Sequence, residues 1–148
     1  MATISTAPQS LQDGLLLKVC VDGIEIADRV HVCVSSKARR QGLLGKRELG
    51  RREGALLVMP ERRKRRSGLV TSIHTFGMRF PITVAWLADD GEIVHVVLAR
   101  PWRPYYRSPH PASYVLEVHS ELRSRLEIGS ILTWQPNENS MPIGREVI

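Results

Sequence analysis

The chain reads as an all-β domain, a sandwich or closed barrel with one or two short helices. Three observations carry this. Apolar residues come in short runs of strand length. Turn signals such as Asp22-Gly23, Asp89-Asp90-Gly91 and Ile128-Gly129-Ser130 punctuate them at close spacing. Only two short stretches have a helical pattern.

In chain order, Leu15 to Val21 is a strand and Asp22-Gly23 its hairpin turn. Ile24 to Ile26 and Val30 to Val34 continue as strands around a break at Ala27-Asp28-Arg29. Ser35-Ser36 offers an N-cap to a helix over Lys37 to Leu44, with Gly45 at its exit and Gly42 inside it for close packing. Ala55 to Met59 is a buried strand ended by Pro60, and Leu69 to Thr75 is a further extended stretch. Ile82 to Ala88 and Glu92 to Ala99 form a hairpin about Asp89-Asp90-Gly91. The return strand alternates with Ile93, His95 and Val97 on one side and Val94, Val96 and Leu98 on the other. Both sides are largely apolar, which predicts a central strand. Pro101, Pro104, Pro109 and Pro111 make the next stretch a long loop. Tyr114 to Val118 is a strand, Ser120 caps a short helix carrying Leu122 and Leu126, and Ile131 to Trp134 is the last strand.

The 148 residues suit one domain with one core, and a domain of this size buries roughly 70% of its unfolded surface without a disulfide or metal. Residues 1–13 read as a flexible lead, 14–134 as the domain and 135–148 as a loosely held tail. No apolar run approaches the ~18 residues of a membrane span. Met1 to Asp13 has neither Lys nor Arg nor an apolar segment, so no secretory signal is read there and a cytoplasmic location is expected. Cys20 and Cys33 sit in apolar alternating stretches and read as free thiols.

The formal charge of +6 is local. Of the 21 Lys and Arg residues, Arg62, Arg63, Lys64, Arg65 and Arg66 form one run, leaving 16 against 15 acidic residues. Such a run repels itself and is a loop. It is either a solvated linker or a docking patch for phosphates, anionic lipid or an acidic partner.

The densest chemistry lies in Ser72-Ile73-His74-Thr75-Phe76-Gly77-Met78-Arg79-Phe80-Pro81. Here the chain resembles the domain-of-unknown-function family 192. Arg39-x-x-Gly42-Leu43-Leu44-Gly45 is similar to the family's R-x-x-G-L-M segment, and Gly54-Ala55-Leu56-Leu57-Val58 to its G-M-L-F-V strand. Ile73 to Ile82 follows the branch reading I-H-T-F-G-M-x-x-P, and Asp90-Gly91-Glu92-Ile93-Val94 the D-G-x-I-V hairpin. Tyr114-Val115-Leu116-Glu117-Val118 and Ile128-Gly129-Ser130 match the closing pieces. The resemblance spans roughly Val19 to Trp134. It implies a compact, jelly-roll-like fold with one face carrying the motif residues, and no established reaction, cofactor or substrate. His74 stands where the commoner branch has Trp, and Thr83 and Ser130 where it has Asp. The missing carboxylates argue against metal binding or acid–base chemistry.

From the residues themselves, Arg39 carries a guanidinium suited to a carboxylate or phosphate. Its plainest internal partner is Glu117. His74 is a rim or core histidine, or a general base or ligand. The five histidines show no H-x-x-x-H or H-x-H spacing, and C-x-x-C is absent, so no metal or cofactor is expected. No G-x-S-x-G, P-loop or dinucleotide fingerprint occurs. Trp102-Arg103-x-Tyr105-Tyr106-Arg107 is either a loop whose Trp102 plugs the barrel end or a stacking surface for bases or sugars.

Two functions follow. The first is a non-enzymatic binding or accessory domain with a shallow site lined by Arg39, His74, Thr75, Arg103 and Glu117, taking a small polar or anionic ligand or a partner segment. The second is binding of nucleic acid or another polyanion through Arg62 to Arg66 and Trp102 to Arg107. A hydrolase or lyase using His74 with Glu117 ranks last, for want of an ordered nucleophile–base–orienter set.

Overall fold

A computed structural model describes residues 11–61 and 72–138. The basic run Arg62 to Arg66 and residues 69–71 of the 69–75 stretch therefore lie outside the described residues. Seven strands form one sheet: β1 (Leu16–Val21), β2 (Ile24–Cys33), β3 (Glu53–Val58), β4 (Ile82–Leu87), β5 (Ile93–Ala99), β6 (Tyr114–His119) and β7 (Leu132–Pro136). Their order is β5-β4-β6-β3-β2-β1-β7. Neighbours run antiparallel except β2 and β3, which are parallel. A helix, α1 (Ser36–Gln41), lies between that parallel pair, and a 3-10 helix, Ser120–Arg125, follows β6.

The sheet curls into a half-barrel. Its two outermost strands meet at one end, where Ile93 N–H donates to Ser130 O (2.9 Å), Gly129 N–H to Ile93 O (2.8 Å) and Leu132 N–H to Gly91 O (2.8 Å). Gly91 is required there: its φ is 90°, and a Cβ would lie 2.3 Å from the Leu132 carbonyl oxygen. The concave side is filled by alternate residues of every strand, among them Leu17, Val19, Val30, Leu56, Leu87 and Leu116, with Leu122 and Leu126 at the end. The convex side is apolar too. Ala55, Leu57, Ile82, Val84, Trp86 and Val115 lie there under a lid of loops that contributes Leu43, Leu49, Met59, Met78 and Ala112. Double-sided burial explains the continuous apolar run of β4, all six of whose residues are buried.

Several expectations are corrected. The Ala27-Asp28-Arg29 break is part of one long β2. Ala27 is buried opposite Val19, and the break survives inside the strand as a bulge, with Asp28 and Arg29 together across from the single Lys18 between the Leu17–Val30 and Val19–Ala27 pairs. The return strand β5 is an outermost strand, not a central one. A bulge between Trp86 and Leu87 passes over Val94 and shifts the alternation. Ile93 thus joins Val96 in the concave core, while His95 pairs with Trp86 on the other side. The first helix is shorter than expected and stops at Gly42, which is its C-cap and not an interior residue. Ser35 is the N-cap, its Oγ accepting from Ala38 N–H at 3.1 Å. His119, not Ser120, caps the 3-10 helix, with Nδ1 accepting from Glu121 N–H at 3.1 Å.

The last strand runs two residues past Trp134, and Asn137 fastens it: its N–H donates to Leu16 O (2.8 Å) and its Nδ2 to Asp28 O (2.5 Å). At the other end Asp13 Oδ1 accepts from Val34 and Ser35 N–H (2.5 and 3.0 Å). Both cysteines are free, Cys33 buried and Cys20 half-buried. Burial first, then the Glu117 and Asp13 charges, push the Cys33 thiol up to about 12, so it is inert. Among the described residues no helix is long and apolar enough to cross a membrane.

Candidate functional site

The convex layer is not closed. A cavity of about 330 Å³ opens between α1 with its following turn and the 72–78 loop, over the sheet at Leu57, Ile82 and Glu117. That volume falls at the lower end of small-ligand sites. Glu117 is its chemical centre. On β6 the residues on either side of it, Leu116 and Val118, point into the concave core, so strand alternation sends Glu117 to the convex side.

The carboxylate is 7% exposed, and burial raises its pKa to about 7, opposed by a hydrogen bond from the Leu43 N–H. Among the described residues Oε1 has no hydrogen-bond partner. An ionisable oxygen left like this costs free energy, and such sites are where function is sought. Gly42 makes the arrangement possible. The chain turns there at φ 45° and ψ −116°, and a Cβ would sit 2.6 Å from Oε1. Two sequence motifs thus meet at one contact: the Gly-Leu pair after α1 supplies clearance and an amide, and the Glu of β6 supplies the carboxylate. Gly54 serves the same strand from the other edge, since a Cβ there would lie 2.4 Å from the Glu117 backbone oxygen. His31, half-buried on β2, hydrogen-bonds the backbone at Gly42 and Gly54 and is held below its ordinary pKa chiefly by burial.

The cavity brings together four of the five expected site residues: Arg39, His74, Thr75 and Glu117. Their roles differ. Arg39 is half-buried and its Nη1 donates to Val34 O. Its charge also makes a minor contribution to lowering the Asp13 carboxyl, which is held down mainly by the Ser35 hydroxyl and the Val34 and Ser35 amides. The Glu117 carboxylate is governed by burial and the Leu43 amide. His74 is an exposed rim residue, its ring 5.5 Å from that of Phe76.

Thr75 is 1% exposed and serves as a clasp. Its hydroxyl donates to Arg100 O (2.6 Å) and accepts from Arg103 N–H (2.8 Å). Its backbone bonds Arg103 O, Trp102 N–H and Met78 N–H. Arg103 lies outside the cavity lining; its backbone holds Thr75 while its side chain is exposed. Trp102 does not plug the barrel, being 66% exposed; Leu122 and Leu126 fill that end. Among the described residues no three His, Cys, Asp or Glu are grouped to hold a metal ion.

Sequence reasoning missed Gly42 as the partner of Glu117, and it missed the Leu43 amide. The signal for both was the R-x-x-G-L segment, which carries no side-chain chemistry beyond its Arg. It also missed Ser36, Arg40 and Ser72 on the rim.

Two solved structures share the fold. One is a proposed transcription regulator from Sinorhizobium meliloti 1021 (TM-score 0.67, 22% identity, covering 83% of this chain and 96% of that one). The other is a protein of unknown function from Novosphingobium aromaticivorans DSM 12444 (TM-score 0.67, 18% identity, 80% and 84%). At these identities the likeness is one of fold alone. Comparison with curated proteins gave no match. The sequence profile of DUF192, described as "Uncharacterized ACR, COG1430", matches residues 17–134, a span containing the whole sheet up to Trp134 and every residue at the cavity floor. The chain belongs to the DUF192 family.

Proposed function

We propose that this protein is a non-enzymatic binding domain for a small polar ligand that offers an N–H or O–H donor to Glu117. The observation that carries the reading is the Glu117 Oε1, buried at the floor of a 330 Å³ cavity without a donor. A ligand donor there would remove the desolvation penalty of an unpaired acceptor, and a positive charge on it would pull the carboxyl back toward its ordinary pKa. The rim, with Ser36, Arg40 and Ser72, suits a polar or anionic group at the ligand's other end.

The test is a thermal-shift screen of amines, amides, amino acids, sugars and nucleosides at pH 6 and pH 8. A ligand at 100 times its Kd adds about 2.7 kcal/mol. The expected result is a rise in melting temperature with at least one donor-bearing molecule, lost in Glu117→Gln. For a cationic ligand the shift is larger at pH 8, where the carboxylate is ionised. Shifts that survive Glu117→Gln, or none across the library, would overturn the reading.

A further inference from the structure

Thr75 joins two loops, and their outer surface has a composition the cavity does not call for. Three of their apolar side chains stand in water: Phe76 at 47% exposure, Trp102 at 66% and Tyr105 at 49%. All three are aromatic, while the aliphatic members Ile73 and Met78 are buried. Trp102 is moreover held at φ 63°, a left-handed conformation that bulky residues rarely adopt. Nothing in the core gains from it, because the indole is outside. The strain keeps a ring in solvent, and strain of this kind collects at binding sites.

The surface is also held stiffly. Beyond the Thr75 bonds, Ile73 and Tyr106 exchange a pair of backbone hydrogen bonds (2.9 and 2.7 Å), and Tyr106 Oη accepts from Arg100 N–H at 2.8 Å. Four prolines, Pro101, Pro104, Pro109 and Pro111, restrict the second loop further. Charge completes the pattern. Residues 72–81 and 100–113 contain no Asp or Glu, in a chain with 15 of them, but do contain Arg79, Arg100, Arg103 and Arg107, all exposed. The Arg107 guanidinium lies 5.6 Å from the Tyr105 ring centre, a cation–π arrangement.

We propose that the loops joined at Thr75 form a binding platform for single-stranded nucleic acid, with Phe76, Trp102 and Tyr105 stacking on bases and Arg79, Arg103 and Arg107 contacting phosphates. Exposed ring faces beside guanidinium groups are how such strands are bound without base-pair readout. A duplex keeps its base faces stacked inside and offers these rings nothing. An anionic bilayer also takes aromatic rings and arginines at its headgroup level, so vesicles form one arm of the test. The platform shares the 72–78 loop with the cavity wall, but none of its stacking or phosphate-contacting side chains lines the cavity, and it goes beyond the ligand reading given above.

The test is fluorescence anisotropy of labelled 12-nucleotide dT and U oligomers with the full chain, against a duplex and against phosphatidylglycerol vesicles. Binding to the single strands is expected, with log Kd against log salt rising by about 0.7 per phosphate contact. Trp102→Gly removes the ring, tolerates the positive φ and is expected to keep the melting temperature while weakening binding about tenfold or more. Arg103→Ala with Arg107→Ala should reduce the salt slope by about 1.4. Four results would overturn the proposal: no binding, equal binding of duplex, preference for vesicles, or binding indifferent to Trp102→Gly and lost only when Arg62 to Arg66 are replaced by Ser and Gly.

Discussion

Leu116 and Glu117 are consecutive on β6, yet they belong to two different interiors. On the concave side the sheet wraps its own side chains. A polar group there, Thr83, is satisfied by donating to Ser120 O at 3.1 Å, and all seven strands contribute to one apolar core. On the convex side the same strands meet a lid of loops. That lid reaches the sheet closely enough to bury a carboxylate but leaves a cavity beside it and one of its oxygens without a donor. A curled sheet stabilises itself by filling its inside. Its outside is finished by loops, which can be shaped around a space without disturbing the barrel. One half of the molecule is therefore built for stability and the other tolerates a cost beside an open cavity.

Three substitutions test this division. The largest effect is expected from Leu116→Ala, which empties the closed side and should lose about 3 kcal/mol or more in urea unfolding.

Its neighbour should respond with the opposite sign. The folded-state pKa of Glu117, about 7, lies above its ordinary 4.5. The wild-type protein is thus free of the penalty below pH 4.5 and loses stability as pH rises through 7, by up to about 3 kcal/mol. Glu117→Gln should match wild type near pH 4.5 and exceed it by about 2 kcal/mol at pH 8, as read from paired urea titrations. A variant less stable at pH 8 would place Glu117 in a satisfied network and remove the contrast.

The smallest effect belongs to His74→Ala. The ring is exposed at the rim, so the expected change in unfolding free energy is within about 0.5 kcal/mol. A loss of 1 kcal/mol or more would make it part of the lid's support.

What the sequence showed, and what it hid, follows the range of the contacts. The β1–β2 and β4–β5 hairpins were legible because their turns are local chemistry: Asp22 and Gly23 take φ of 48° and 84°, and Gly91 takes 90°. The outer position of β5 was not. An apolar strand covered on both faces looks the same at a sheet's edge as at its centre when loops do the covering. The motif residues Arg39, His74, Thr75 and Glu117 line one cavity on the convex side. The roles within it depend on long-range backbone groups. Thr75 reads as a ligand-binding hydroxyl until the Arg100 carbonyl and Arg103 amide are seen to occupy it. Gly42 reads as a packing glycine within a helix until Glu117 is found against it.

The sheet order has a consequence for how the chain comes into being. β1 lies between β2 and β7, so one flank of the earliest strand is completed by the last. On the ribosome β1 and β2 can pair as soon as they emerge. Val19 and Leu17 then keep one flank open until Leu132 arrives to close the inside. At translation speeds of about 5–20 residues per second, that interval is on the order of ten seconds. A nascent chain of this fold spends it as an open apolar trough, and the cell's holding chaperones have their opportunity then.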